Sequence, residues 1–262
     1  MEVETSALPS RGPAETTIRI AAAGDIHCSE ATRESTAAAF AAIDGEADLV
    51  LLAGDLTTHG EPDQAAVLAD SCRGLATPVV AVLGNHDLHA GRGPEVVTVL
   101  EDAGVTVLDR AHTVVPVGDC GVGVVGAKGF VGGFRTWHLP DFGEPSLRAV
   151  YAETGQEVEA VSEGLGEVAL CPFRVLLLHY APTWETLEGE AREIWAFLGT
   201  DRLQAPIIEH RPDLVLHGHA HAGRFRAEVA GVPVFNVSVP VMGRAFWVFE
   251  LTGGAVPSTP IR

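Results

Sequence analysis

The sequence predicts one α/β domain with a mixed, two-layered sheet core, and a repeated pattern in its first half is the main reason. Short apolar runs rich in β-branched residues end at a glycine and a polar residue in "TIRIAAAGD", "ADLVLLAGD" and "TPVVAVLGNHD". Each run indicates a buried strand that stops at its carboxyl end. The polar residues Asp25, Asp55 and Asn85 follow at intervals of 30 residues, a length that suits one strand–helix–strand unit.

Helix-like segments separate these three strands. "EATRESTAAAFAAID" is rich in alanine, and "EPDQAAVLADSCRG" has proline near its start and glycine at its end, where helices favour those residues. Right-handed crossovers between parallel strands would bring the three strand ends to one edge of a sheet. In open α/β sheets this carboxyl edge is where ligands bind.

The second half of the chain predicts a more antiparallel arrangement. "VTVLDRAHTVVPVGDCGVGVVGAKGF" contains three short runs with turn residues between them, and residues 145–166 indicate a helix. "FRVLLLHYAP" and "PDLVLHGHAH" repeat the pattern of an apolar run followed by polar residues, whereas "FRAEVAGVPVFNVSV" and "RAFWVFELTG" indicate closing antiparallel strands. We expect a flexible tail over residues 1–16 and a single domain over residues 17–262.

Composition narrows the class of protein and its partners. The chain has 262 residues, of which 47% are hydrophobic and 20% charged, with a formal net charge of −18, and this suits a globular protein with an acidic surface. Such a charge disfavours nucleic acid and anionic membranes as partners unless a local positive centre offsets it. No stretch approaches the roughly 20 apolar residues that span a bilayer. Four scattered cysteines indicate free thiols and a cytoplasmic location.

Polar side chains that could bind metal follow five of the predicted strands. Taken singly, an aspartate after glycine is usually a turn or helix-cap residue, and a histidine at a strand end is usually only hydrogen-bonded. Together they offer nitrogen and oxygen ligands without a thiolate, which suits manganese, iron, cobalt or zinc and suffices for two ions. The residues are Asp25, His27, Asp55, Asn85, His86, His179, His217 and His219.

Three histidines occupy alternate positions in "DLVLHGHAHAG". In an extended chain the side chains of His217, His219 and His221 would share one face. The alternation alone leaves open whether all three bind metal, two bind and one is a bystander, or none does.

The motifs "GDIH", "GDLT", "GNHD", "LLLHYAP" and "HGHAH", which span residues 24–221, resemble the calcineurin-like metallophosphoesterase superfamily in content and order. The resemblance implies an α/β/β/α sandwich with mixed sheets, flanking helices and a metal site at the strand ends. It also implies a metal-dependent phosphoric ester hydrolase that acts on a small phosphodiester or phosphomonoester, nucleotides included. The second motif reads "GDLTTHG" instead of the G-D-x-x-D form of many serine/threonine phosphatases, and "GDLTTHGEPDQ" is similar to bacterial cyclic-nucleotide phosphodiesterase-like members.

The resemblance also implies a division of labour between two metal ions of manganese, iron or zinc. Hydroxide shared by the ions would attack phosphorus, because metal lowers the pKa of bound water from about 15.7 towards 7. Asp55 would bridge the ions, and His221 would then be a bystander at the rim. One ion would take Asp25, His27 and His219, and the other would take Asn85, His179 and His217.

His86 follows the ligand Asn85 directly and, by the same resemblance, acts near the leaving group as general acid or charge stabiliser. Asp87 would orient it. The alternative for His86 is a purely structural hydrogen bond behind the ligands.

The predicted loop of residues 129–143, "GFVGGFRTWHLPDFG", carries the candidate substrate contacts Arg135, Trp137 and His138. Aromatic rings could stack on a base and an arginine could pair with phosphate, but these side chains could equally cover the core or meet a second subunit. Two other functions stay open: a nuclease of the same superfamily, which the acidic charge disfavours, and a non-catalytic scaffold, which would not need a complete ligand set. The sequence leaves the oligomeric state open.

Overall fold

A computed structural model describes residues 16–253 of the chain. Apart from Thr16, the predicted N-terminal tail therefore lies outside the described residues. The helices are α1 (Arg33–Ile43), α2 (Pro62–Cys72), α3 (Gly93–Glu101), α4 (Pro145–Glu167), α5 (Trp195–Leu198), α6 (Gln204–His210) and α7 (Val239–Met242).

The strands follow the sequence prediction closely in number and place. They are β1 (Thr17–Ala23), β2 (Leu49–Ala53), β3 (Val79–Val82), β4 (Val105–Val107), β5 (Ala111–Val117), β6 (Cys120–Gly126), β7 (Gly133–Phe134), β8 (Trp137–His138), β9 (Phe173–Leu177), β10 (Leu214–His217), β11 (Arg226–Val229), β12 (Val232–Asn236) and β13 (Trp247–Thr252).

Two large sheets form the centre of the molecule. The first has the order β13-β1-β2-β3-β4, in which β13 is antiparallel to β1 and the others run parallel. The second has the order β11-β12-β10-β9-β6-β5, in which the four inner strands run parallel and β5 and β11 lie antiparallel at its edges. The sheets are mixed, as predicted. The expectation of antiparallel strands in the second half is correct for β5, β11 and β13, whereas β4, β6 and β12 each have a parallel neighbour.

The faces of the second sheet show why two layers form. In β9, Val175 and Leu177 belong to the core shared with the first sheet, whereas Leu176 between them packs in a second cluster with Val161 and Leu165 of α4. Successive side chains of a strand point to opposite faces, so each inner strand is apolar on both. Helices α1 to α3 pack against the first sheet, which gives the α/β/β/α sandwich that the sequence predicts.

Some local features refine the sequence prediction. Residues 129–143 are mostly irregular, as expected, but they contain the short hairpin of β7 and β8. The four cysteines are free thiols, as their spacing predicts. Within residues 16–253, no helix is both long enough and apolar enough to cross a bilayer.

The two sheets join at the carboxyl ends of their parallel strands. Directly after β1, the Gly24 amide donates to the Val237 carbonyl of the second sheet over 2.8 Å, and the Val239 amide donates back to Gly24 over 2.9 Å. The His179 ring nitrogen Nδ1 lies 2.9 Å from the Ala53 carbonyl at the end of β2. The strand ends that carry the predicted ligands therefore come from both sheets and meet at one place.

Candidate metal centre

Four of the predicted ligands have an unusual backbone conformation. Asp25, His27, Asp55 and His219 have φ values of 57°, 49°, 50° and 71°, in the left-handed region that side chains other than glycine seldom adopt. Each such residue costs on the order of 1–3 kcal/mol, and strain of this kind concentrates at functional sites. The turns after β1, β2 and β10 thus place their side chains at some expense of stability.

Two buried carboxylates form the centre of the site. Asp25 accepts a hydrogen bond from the His219 amide over 2.9 Å, and Asp55 accepts one from the His86 amide over 2.8 Å. Their ion-pair partners in the described part of the chain are histidines, without a lysine or arginine. Burial raises the pKa of Asp25, but the His221 hydrogen bond and the charges of His179 and His221 outweigh it and lower the pKa overall. Buried carboxylates among imidazoles are a donor set that fits metal cations.

The potential ligand atoms converge. Within each of three groups these atoms all lie within 4.8 Å of one another. Asn85 joins them through its Oδ1, which lies 2.9 Å from His179 Nε2. The groups are Asp25, His27 and His221; His27, Asp55 and His86; and Asp55, His179 and His219.

The structure does not bring His217 into these groups, contrary to the sequence prediction. Both of its ring nitrogens are engaged elsewhere: Nε2 lies 2.9 Å from Thr186 Oγ1 and Nδ1 lies 2.8 Å from the Gly218 carbonyl. The side chain is fully buried, and burial lowers its pKa to about 4. The physical reason for the difference is that β10 ends at His217 and the backbone turns at His219, so the two-residue alternation does not continue.

His221 lies beside Asp25 and His27, where the sequence prediction put His219, and His219 lies with His179, where the prediction put His217. Its Nε2 lies 2.8 Å from Asp25 Oδ1, and its ring centroid lies 5.6 Å from that of His27. The hydrogen bond to Asp25 is the main reason that its pKa is raised. His221 is therefore part of the cluster and not a bystander at the rim. The literal spacing of Gly218-His219-Ala220-His221 is the signal that identifies it.

Hydrogen bonds behind the cluster fix which nitrogen faces it. His179 Nδ1 is held by the Ala53 carbonyl, which leaves Nε2 for the site. His219 Nε2 lies 3.2 Å from the Phe197 carbonyl, which leaves Nδ1. Such contacts orient metal-binding imidazoles and set their tautomers. Burial lowers the pKa of His219 to about 3, so its ring stays neutral, as a ligand must be.

His86 lies in the cluster, and its ring centroid is 4.6 Å from that of His27. Its Nδ1 lies 2.7 Å from the Thr58 carbonyl, and Nε2 has no hydrogen-bond partner among residues 16–253. Thr58 is the residue at which "GDLTT" departs from the G-D-x-x-D form. A backbone carbonyl, which sequence patterns do not reveal, therefore orients this ring.

Within residues 16–253 no hydrogen bond joins the Asp87 carboxylate to the His86 ring, so the expected orienting role of Asp87 stays a prediction. Its buried carboxylate accepts hydrogen bonds from the amides of Leu56, Thr57 and Gly84 at 3.1, 2.7 and 2.8 Å. Burial, which outweighs these bonds, raises its pKa. Asp87 thus ties the turn after β2 to the turn after β3 and positions the ligands indirectly.

Two glycines leave room for the carboxylates. A Cβ at Gly84 would overlap Asp55 Oδ1, and a Cβ at Gly218 would overlap Asp25 Oδ2. Glycine permits this close approach of the backbone because it has no side chain.

The candidate substrate residues lie on the hairpin loop, and none belongs to the metal groups. The Arg135 guanidinium stacks on Trp184 at 4.8 Å, and His138 Nε2 lies 2.9 Å from Asp201 Oδ1. Trp137 is 58% exposed. A substrate role for these three residues stays a prediction.

Comparison with solved structures shows the same fold in proteins of different description. The chain superimposes on a phosphopantetheinyl hydrolase from Mycobacterium tuberculosis with a TM-score of 0.63 and 17% identity, covering 84% of this chain and 89% of that one. A candidate 5'-nucleotidase from Staphylococcus aureus superimposes with a TM-score of 0.61 and 16% identity, covering 94% of this chain and 53% of that one. This chain therefore spans about half of that protein. GAP50, the anchor in the inner membrane complex of Plasmodium, superimposes with a TM-score of 0.58 and 13% identity, covering 90% of this chain and 81% of that one.

These identities are too low to transfer an activity. No curated protein sequence matches the chain. The family model of the calcineurin-like phosphoesterases, however, matches residues 18–223, a range that contains every member of the cluster. The chain therefore belongs to the calcineurin-like phosphoesterase family.

Proposed function

We propose that the protein is a metal-dependent hydrolase of a small phosphodiester or phosphomonoester, with nucleotides among the candidate substrates, and that it uses two metal ions. The observation that carries this proposal is the pair of buried carboxylates, Asp25 and Asp55, surrounded by histidines from both sheets and without a lysine or arginine partner in residues 16–253. Such a pair calls for cations, because burial of unpaired negative charge is costly.

The geometry favours a ligand assignment that differs from the sequence prediction at three histidines: His217 is left out, His219 moves to the second ion and His221 joins the first. Asp55 would be shared by the two ions because it lies in one group with His27 and in another with His179 and His219. One ion would take Asp25, His27 and His221. The other would take Asn85, His179 and His219.

Bound metal ions would supply positive charge for the phosphoryl oxygens and lower the pKa of water. The residues of the chain do the rest. Asp25 and Asp55 hold the charge of the site, and the imidazoles complete it without adding charge. His86 presents Nε2, the nitrogen that Thr58 leaves free, from which a proton can pass to the departing alkoxide.

Activity and metal content together test this proposal. We expect the manganese-loaded protein to cleave bis(p-nitrophenyl) phosphate or p-nitrophenyl phosphate. Asp55→Ala should lose both activity and metal, whereas Asp63→Ala, which changes an exposed carboxylate on α2, should lose neither. If Asp55→Ala is stripped of metal and still hydrolyses the ester, the proposal is wrong.

Two alternatives are separated by simple measurements. A nuclease would digest a labelled oligonucleotide, and the net charge of −18 disfavours this because phosphate neutralisation supplies most nucleic-acid affinity. A scaffold has the precedent that one protein of this fold, GAP50, is described as an anchor. Metal well below two ions per chain in the purified protein would favour the scaffold.

A further inference from the structure

An apolar cavity of about 640 Å³ lies between the hairpin loop, α4 and α5. We call it the apolar cavity; its lining side chains include Phe130, Trp137, Leu139, Leu147, Val150 and Phe197. They come from the hairpin loop, the first turns of α4 and the end of α5. This volume lies in the usual range of sites for small organic ligands.

The apolar cavity and the cluster share no residue, but two residues of the cavity wall connect to His219. The Phe197 carbonyl lies 3.2 Å from His219 Nε2, while the Phe197 side chain lines the cavity. On the other side, the Phe130 ring lies 5.8 Å from the Tyr180 ring, which in turn lies 4.4 Å from the His219 ring. The cavity wall therefore adjoins His219 on the side away from Nδ1, and a chain attached to a phosphoryl group at the cluster would have to pass the edge of this ring to enter the cavity.

Several lining side chains are exposed although they are large and apolar. Phe197 is 65% exposed, Trp137 58% and Leu147 42%. Grouped exposure of this kind is unfavourable in water and marks binding surfaces more often than isolated apolar residues do. These side chains do not serve as a cover for the core.

The lining also restricts the chemistry of the ligand. The polar side chains of the lining are Thr136 and His138, and His138 is already paired with Asp201 over 2.9 Å. A nucleobase would leave most of its ring nitrogens and carbonyl groups without protein partners, at a cost of about 1–3 kcal/mol for each group that is buried. An alkyl chain needs no such partners and gains from leaving water.

We infer that the substrate is a phosphoester that carries an extended hydrocarbon group, with the phosphoryl group at the metal centre and the hydrocarbon in the apolar cavity. This inference rests on the proposed function and adds a substrate class to it. In the reaction, water adds to phosphorus, the ester P–O bond breaks, and the alcohol leaves with one proton.

A series of p-nitrophenyl alkyl phosphates tests the inference, because the leaving group stays constant while the alkyl chain grows from methyl to butyl to octyl. Each methylene that is buried should raise kcat/KM about fourfold, and therefore roughly 60-fold from methyl to butyl. Leu147→Asp, which places a charge in the cavity, should bring the octyl-to-methyl ratio close to one. Leu170→Asp is the matched control, because Leu170 is 99% exposed and precedes β9, at the end of the strand away from the metal cluster. This variant should keep the wild-type octyl-to-methyl ratio.

Binding separates failure of this inference from failure of the proposed function. Calorimetry of octyl phosphate and ethyl phosphate should show tighter binding of the octyl compound, with a more negative heat-capacity change, even if no ester is cleaved. Hydrolysis whose rate and affinity do not depend on the length of the alkyl chain would overturn the inference but would not contradict the proposed phosphoesterase function. A protein dimer that Leu147→Asp converts to a monomer would also overturn it, because the cavity would then contact a second copy.

Discussion

His217 offers a quantitative test of the difference between a structural histidine and a ligand. The perturbation is His217→Gln in protein from which metal has been removed by a chelator. Burial lowers the pKa of His217 from 6.5 to about 4, so the folded protein keeps the ring neutral while the unfolded chain protonates it. The contribution of the neutral His217 ring to the free energy of unfolding is therefore complete above pH 6.5 and is lost as the pH falls towards 4.

The magnitude follows from these two pKa values. At pH 5 the unfolded chain holds the proton and the folded chain does not, which costs the wild-type protein about 2 kcal/mol relative to pH 8. Glutamine does not titrate in this range. The free energy of unfolding of His217→Gln should therefore fall less between pH 8 and pH 5 than that of the wild type. Urea unfolding at pH 8 and pH 5 measures this difference.

A control and a refutation complete the experiment. His112→Gln, at an exposed position of β5, should keep the wild-type slope. With metal restored, His217→Gln should bind as much metal as the wild type, whereas His221→Gln should bind less. Equal pH slopes for His217→Gln and the wild type, or loss of metal from His217→Gln, would refute the structural role of this residue.

Three further changes test other parts of the site. His86→Gln should lower kcat about 10²- to 10⁴-fold, more for alkyl leaving groups than for p-nitrophenolate, and leave metal content unchanged; an equal loss for both leaving groups would argue against proton transfer. Gly218→Ala, which would crowd Asp25, should reduce bound metal by elemental analysis, while Gly166→Ala in α4, with no neighbour nearer than 3.9 Å, should not. Asp87→Asn should lower the free energy of unfolding by about 1–3 kcal/mol in urea, because buried amide donors lose an acceptor; unchanged stability would contradict its role in tying the two turns.

The sequence predicts the strand ends well because burial dictates their composition. Strands covered on both faces must be continuously apolar, and the polar residues that interrupt them at Asp25, Asp55 and Asn85 mark the carboxyl edge. The same reasoning predicts the parallel order of β1, β2 and β3. It does not show that β9 and β10 belong to a second sheet, since strand pairing across distant segments leaves no local pattern.

The histidine triplet shows where local reasoning stops. Alternation predicts a shared face only while the chain stays extended, and a single left-handed residue at His219 ends that condition. His217 then turns into the core and His221 reaches Asp25. The hydrogen bonds of Asp87 could not be predicted for a related reason, because bonds to backbone amides depend on how two distant turns meet.

The left-handed conformation of the ligand residues affects which mutations selection would favour in this protein. Without metal, Asp25 and Asp55 combine backbone strain with buried like charge, so substitutions there that abolish the cluster should relieve both. Glycine at Asp55, for example, accepts φ near 50° at little cost. A screen that rewards heat resistance alone would therefore select against the metal centre first. Only a requirement for catalysis would keep these residues in place.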